Sequence, residues 1–213
     1  RKPLQLEPKA VKLEQMSKKS SADVPVVNIA NALTVMRLVL VPVFIFMVLR
    51  GNDVGMLVAT VVFTVAALTD KLDGYLARRL NLITNFGKLA DPIADKALTI
   101  SALVLLSYLG QLWWWVTIVI IVRELGITFM RMAMVRKGAV MAASKGGKLK
   151  TTLQMVAIIG LLMPWQLFLP DTIASGLIAT AFCIMLVALL VTVVTGIDYV
   201  QQAITLNRAK DTK

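Results

Sequence analysis

The sequence predicts an all-α integral membrane protein of six transmembrane helices, with an N-terminal cytoplasmic tail or interfacial segment. Three observations predict it. The 213 residues are 58% hydrophobic, with a mean hydropathy of +0.77, more apolar than an ordinary soluble domain. Those residues gather into runs long enough to cross a hydrocarbon layer, which takes about 20 helical residues. The connections between the runs alternate between basic and nearly uncharged, as in a chain threaded with its cationic loops inside.

In chain order, residues 1–24 are polar and of mixed charge, Lys18-Lys19-Ser20-Ser21 among them. They read as a tail that touches anionic lipid or simply sits in water. The chain starts at Arg1 rather than Met, which leaves a preceding targeting segment open. A membrane domain over 25–200 follows, with spans near 32–49, 54–78, 88–110, 113–136, 148–168 and 172–198. Polar or turn-forming residues separate them: Arg50 to Asp53, Asn81 to Asn85, Gly110-Gln111, Lys137 to Lys150, and Pro164 to Asp171. Trp113, Trp114 and Trp115 fall at a water–lipid boundary, where indoles prefer to lie. Residues 201–213 form a basic C-terminal tail.

Cations set the orientation. They crowd the N-terminal tail, the 79–88 turn, the 136–150 loop and the C-terminal tail, while the other three connections hold only Arg50. Both termini are therefore expected in the cytoplasm. The net charge of +11 belongs to these edges; no nucleic-acid-binding module interrupts the apolar runs. The chain has no His, which removes histidine bases, Cys–His nucleophiles and the usual zinc sites. Its single cysteine, Cys183, cannot form a disulfide within the chain and reads as a small packing residue.

Charged side chains within a bilayer are costly, and those that persist usually face a polar cavity. The second span ends Asp70-Lys71-Leu72-Asp73-Gly74-Tyr75-Leu76-Ala77-Arg78, and the third begins Gly87-Lys88-Leu89-Ala90-Asp91-Pro92-Ile93-Ala94-Asp95. Asp70 and Asp73 are three apart and Asp91 and Asp95 four apart, so each pair shares a helix face. A short turn makes the helices antiparallel and brings the pairs to similar depth near the cytoplasmic surface. Four carboxylates converging without histidines repel one another unless hard divalent cations, Mg²⁺ or Mn²⁺, lie between them. Gly74 and Ala77 leave a groove where a nucleotide could lie, with Arg78 at its edge to hold a phosphate. Taken singly, such small residues are more often simple helix packing.

The pattern Asp70-x2-Asp73-Gly74-x2-Ala77-Arg78-x8-Gly87-x3-Asp91-x3-Asp95 resembles the signature of the CDP-alcohol phosphotransferase family at every defined position. The resemblance implies a six-helix membrane enzyme that binds a CDP-linked lipid and releases CMP. Asp70, Asp73, Asp91 and Asp95 would hold one or two Mg²⁺ or Mn²⁺ ions, and Asp95 would act as general base toward the attacking hydroxyl. Asn31, Thr34 and Arg37 resemble the family's Asn-x2-Thr-x2-Arg element and, with Gly74, Ala77, Arg78 and Gly87, would bind the CDP-lipid. An N-terminal helix capped by Asn with a snorkelling Arg is the alternative for that element. Family members usually form homodimers.

The second substrate is read elsewhere. Arg123-Glu124 lies well inside the fourth span, with Arg131 on a similar face, seven residues past Glu124 and able to pair with it. Gly147-Lys148-Leu149-Lys150-Thr151-Thr152-Leu153-Gln154 follows the basic loop. Arg123, Arg131, Lys148 and Lys150 look like a pocket for a dianionic phosphate, although the lysines also suit plain cytoplasmic-side charge. Arg-Glu-x6-Arg followed by Gly-Lys-x-Lys-Thr-x2-Gln is similar to bacterial phosphatidylglycerophosphate synthases, a branch of the family. That resemblance implies CDP-diacylglycerol as donor and sn-glycerol 3-phosphate as acceptor, in a bacterial cytoplasmic (inner) membrane with the site facing the cytoplasm. Phosphatidylinositol-phosphate synthase and cardiolipin synthase of the same fold remain alternatives, and a divalent-cation transporter is the alternative outside enzymes.

Overall fold

The computed structural model describes residues 29–79, 85–136 and 145–211. Among them are six α-helices, one short 3-10 turn and no strand. The helices are α1 (Ile29–Leu49), α2 (Asp53–Arg79), α3 (Asn85–Tyr108), α4 (Trp114–Arg136), α5 (Lys145–Leu162) and α6 (Asp171–Asp211), with the 3-10 turn at Trp165–Leu167. An apolar chain in lipid has no water for its backbone, so each segment satisfies its own amides as helix. Residues 1–28, which include the whole predicted tail, lie outside the described residues.

The turns have local causes. Gly51 closes α1 in the left-handed region, φ 65°, its N–H reaching the Val48 carbonyl at 3.1 Å. Asn52 then opens α2 as a cap: its Oδ1 accepts from the Gly55 N–H at 2.9 Å. A β-carbon on Gly55 would stand 2.8 Å from the Met47 carbonyl oxygen, so only glycine lets the two helix ends approach this closely. Gly110, φ 73°, ends α3 in the same way. The Trp165 indole donates to the Gly160 carbonyl at 2.8 Å, satisfying one of the open carbonyls at the end of α5.

Apolar side chains from all six helices meet in the main core. Phe44 of α1 meets Phe63 of α2 with ring centroids 5.7 Å apart. Leu98, Leu103 and Leu106 of α3, Ile120 of α4, Ile158 of α5 and Met185 of α6 are buried around them. Gly160 allows α5 to lie directly on α6: a β-carbon there would come within 2.7 Å of Ala181 Cβ. The outside is apolar as well, with Val39, Phe46, Val61, Val122, Leu190 and Val194 all exposed. A surface of that kind is matched by lipid rather than water.

Among the described residues, two helices are long and apolar enough to span a bilayer on length and hydropathy alone, through Ala32–Leu49 and Asp171–Thr205. The apolar parts of α2 and α3 are shorter, Asp53–Thr69 and Lys96–Tyr108. The all-helical expectation is thus met, with six helices among the described residues, of which two pass that test. The reason is compositional: the C-terminal end of α2 and the N-terminal end of α3 carry the aspartates, and α4 carries Arg123 and Glu124 mid-helix. Boundaries differ too. The fifth span, expected to reach 168, is helical only to Leu162, because Pro164 breaks it. The last helix does not stop near 198; it runs on to Asp211, with no Gly or Pro after Gly196. Its 41 residues extend roughly 60 Å, about twice the hydrocarbon thickness.

Candidate active site

A buried acid organises the middle of the bundle. Glu124 of α4 is 7% exposed, and its carboxylate accepts from three cations. Arg123 Nη1 donates at 3.0 Å, and Lys96 Nζ of α3 and Lys150 Nζ of α5 each donate a further bond. Three helices therefore meet at one carboxylate, and among the described residues one negative charge answers three positive ones. Such an excess, buried where water is scarce, favours an anion that brings the missing charge.

The last helix seats the arginines. Arg123 Nε donates to the Thr192 carbonyl at 3.0 Å, and its Nη2 donates to Thr195 Oγ1 at 2.7 Å. Thr195 in turn donates to the Val191 carbonyl at 2.7 Å, so its hydroxyl is used in both directions. Gly196 leaves room for the stem: a β-carbon there would stand 3.3 Å from Arg123 Cγ. One turn further, buried Tyr199 accepts from Arg131 Nη2 at 3.2 Å. The Arg131 guanidinium lies 5.5 Å from the Tyr199 ring centre and that of Arg123 6.0 Å, both within cation–π range.

The predicted pairing of Glu124 with Arg131 is corrected here. Seven residues are two helical turns, roughly 10 Å of rise, and Lys96, Arg123 and Lys150 reach the carboxylate first. Of the four expected acceptor-phosphate cations, Arg123 and Lys150 meet at Glu124, and Arg131 joins them through Tyr199. Lys148 is exposed on another face of α5. Lys96, Thr195, Gly196 and Tyr199 were not singled out from the sequence. The signal was present as a stripe of polar and small residues, Thr192-x2-Thr195-Gly196-x2-Tyr199, running down one face of an otherwise apolar span.

A small cavity of about 30 Å³ lies against this cluster, with Lys96, Glu124, Lys150 and Gln154 on its polar side and Leu103, Ile121 and Met155 on its apolar side. A larger hollow, about 640 Å³, opens beside Ser107, Gly110 and Leu112 to Trp115. It has no titratable side chain and lies among the three tryptophans, whereas the smaller one is lined by Lys96, Glu124 and Lys150.

At the aspartate end, Asp70, Asp73, Gly74, Ala77 and Arg78 stand on α2, and Gly87, Asp91 and Asp95 on α3. Their side chains, like that of Asn31, lie outside the described residues. Both stretches are continuous α-helix and the two helices touch. Asp70 and Asp73 therefore share one helix face, as do Asp91 and Asp95, and an all-carboxylate donor set suits Mg²⁺ or Mn²⁺. Among the described residues no group of three His, Cys, Asp or Glu is placed to hold a metal. Thr34 and Arg37 are buried on one face of α1. Arg37, with no exposed surface, points into the protein rather than snorkelling to its edge.

Known proteins resemble the chain over most of its length. The sequence model of the CDP-alcohol phosphatidyltransferase family matches residues 27–196. A protein of Mycobacterium tuberculosis H37Rv named probable phosphatidylglycerophosphate synthase is 46% identical over 182 residues, covering 84% of this chain and 83% of that protein. The Bacillus subtilis CDP-diacylglycerol–glycerol-3-phosphate 3-phosphatidyltransferase is 38% identical over 184 residues, 81% of this chain and 93% of its own. A Haemophilus influenzae protein of the same name is 35% identical over 181 residues, 83% and 93%.

Proposed function

The chain belongs to the CDP-alcohol phosphatidyltransferase family, and from that premise we propose that it transfers a phosphatidyl group from CDP-diacylglycerol to sn-glycerol 3-phosphate. The products are phosphatidylglycerophosphate and CMP. The observation that carries the acceptor is the cation excess on Glu124: Lys96, Arg123 and Lys150 around one carboxylate. A phosphate dianion balances that charge, whereas an uncharged alcohol would leave it unbalanced. Relatives 35–46% identical carry names stating this acceptor or this product.

In the proposed mechanism the acceptor phosphate lies against Arg123, Arg131 and Lys150, with Lys148 at the rim. Its primary hydroxyl then points toward the aspartate end, because Lys96 directly follows Asp95 on α3. Asp95 takes the hydroxyl proton. The freed oxygen attacks the phosphorus that carries diacylglycerol, forming a new P–O ester bond. The P–O bond to the bridging oxygen of the pyrophosphate breaks, and its electron pair leaves with CMP. Asn31, Thr34, Arg37, Gly74, Ala77, Arg78 and Gly87 bind the CDP-lipid. Asp70, Asp73, Asp91 and Asp95 would hold Mg²⁺ or Mn²⁺, supplying positive charge to the pyrophosphate and the departing phosphate.

The six helices would all cross a bacterial cytoplasmic membrane as a homodimer, with both termini and the site facing the cytoplasm. There a membrane-borne donor can meet a water-soluble acceptor. The test is CMP release by purified protein in detergent with CDP-diacylglycerol and Mg²⁺ or Mn²⁺. Glycerol 3-phosphate, inositol phosphate and phosphatidylglycerol are supplied in parallel. Release with glycerol 3-phosphate alone is expected. Release with inositol phosphate instead would overturn the acceptor, and no release with any of the three would overturn the reaction.

A further inference from the structure

One side chain beside the cationic cluster is not used by that mechanism. Gln154 stands one turn after Lys150 on α5 and is 2% exposed, and among the described residues neither its Nε2 nor its Oε1 meets a hydrogen-bond partner. It lines the same cavity as Lys96, Glu124 and Lys150. A buried amide left without partners is costly, and few such groups persist in folded proteins without a use. Here the two unsatisfied atoms are one donor and one acceptor, side by side.

That pairing distinguishes what the amide addresses. A phosphate dianion only accepts hydrogen bonds, and the neighbouring lysines and arginine already supply donors. A hydroxyl needs both, donating its proton to Oε1 while accepting from Nε2. The cavity, about 30 Å³, has room for one water-sized group, not a whole acceptor. Its apolar walls, Leu103, Ile121 and Met155, suit the carbon that bears such a hydroxyl. Lys96, whose side chain is 26% exposed, lies on the open side, where the rest of a small phosphorylated alcohol would sit.

We infer that Gln154 is a specificity-determining residue that hydrogen-bonds the central, non-reacting hydroxyl of the acceptor. It thereby selects a phosphorylated vicinal diol over a phosphorylated simple alcohol. The inference rests on the proposed reaction and adds to it the residue that reads the acceptor's carbon skeleton.

The test uses the full-length protein in detergent with CDP-diacylglycerol and divalent metal. Acceptors are sn-glycerol 3-phosphate and 3-hydroxypropyl phosphate, which keeps the phosphate and the attacking hydroxyl but lacks the central one. Wild type is expected to prefer glycerol 3-phosphate about 10–100-fold in kcat/KM, the cost of leaving one buried amide unpaired when the analogue lacks the hydroxyl. Gln154→Met keeps the length and removes the amide. It should lower kcat/KM for glycerol 3-phosphate by a similar factor while leaving 3-hydroxypropyl phosphate within about threefold. Continued turnover of the deoxy acceptor then shows that the variant is folded. Equal losses on both acceptors, or a selectivity unchanged by the substitution, overturn the inference and assign the amide to packing or to a bound water. Wild-type selectivity below about threefold overturns it without any variant. Wild type that turns over inositol phosphate and not glycerol 3-phosphate overturns the proposed acceptor and this inference together.

Discussion

The aspartate end and the cationic cluster divide the proposed reaction, and they are built in opposite ways. The aspartate end is a local object: eight motif positions over 26 residues, on two helices consecutive in the chain. The cationic cluster is a long-range object. Its centre, Glu124, draws on Lys96, 28 residues before it, and Lys150, 26 after it. Arg123 in turn is seated by Thr195, 72 residues away. In a local motif, changing one residue disables a step without disturbing its neighbours. In a convergent cluster, changing the shared partner disturbs three helices at once. The chemistry should fail at the first end, and acceptor binding and stability at the second.

The largest effect belongs to the aspartate end. Asp95→Asn removes the proposed base and should lower kcat about a thousandfold or more, with the thermal midpoint in detergent nearly unchanged. A variant that keeps most of its kcat would break the division by moving the base elsewhere. The next largest belongs to the cluster. Glu124→Gln leaves Lys96, Arg123 and Lys150 facing one another without an anion, and removing one partner of a buried charge set costs about 3–5 kcal/mol. The thermal midpoint should fall, and the KM for glycerol 3-phosphate should rise while that for CDP-diacylglycerol stays within about twofold. High glycerol 3-phosphate should recover part of the midpoint, because ligand that binds only the folded state stabilises it. Equal rises in both KM values would show that the two ends are one site energetically.

The same division explains what could be read from the sequence. The helices were legible because apolar runs in lipid have little alternative to helix, and most turns announce themselves through Gly51-Asn52, Gly110 and Pro164. The family was legible because its aspartates are close in sequence. Arg123, Arg131, Lys148 and Lys150 were legible as residue types, since cations deep in a span demand a reason. Their partners were not. Helical periodicity aligns Glu124 with Arg131, but it is silent on which neighbouring helix supplies a nearer cation. Lys96, next to Asp95 in the sequence, was not singled out, because nothing local tells that it reaches Glu124 28 residues further on. The extension of α6 past residue 198 was hidden by its polarity: hydropathy marks where a span leaves the lipid, not where a helix ends. The side chain that steadies both arginines, Tyr199, lies in that extension.

Tyr199 gives a finer test. Tyr199→Phe keeps the ring beneath Arg123 and Arg131 but removes the hydroxyl that accepts from Arg131 Nη2. One such bond is worth about 0.5–1.5 kcal/mol, so the KM for glycerol 3-phosphate should rise about two- to tenfold at unchanged kcat. A fall in kcat without a change in KM would place Tyr199 nearer the reacting atoms than its contacts indicate.

The smallest effect is the most discriminating. Lys148 and Lys150 stand two apart on α5, about 200° around the axis. Lys150 is 5% exposed and bonded to Glu124, whereas Lys148 is exposed. The sequence assigned both to the acceptor phosphate; the structure gives them different surroundings. Lys148→Ala should raise the KM for glycerol 3-phosphate only about two- to threefold at low ionic strength, and that difference should vanish near 0.5 M salt, as expected of an exposed charge acting at a distance. Lys150→Ala should cost far more and keep its effect in salt, because its partner is buried. Equal, salt-independent losses for both lysines would move the acceptor phosphate out to the rim, and the cavity beside Gln154 would then lie too deep to read it.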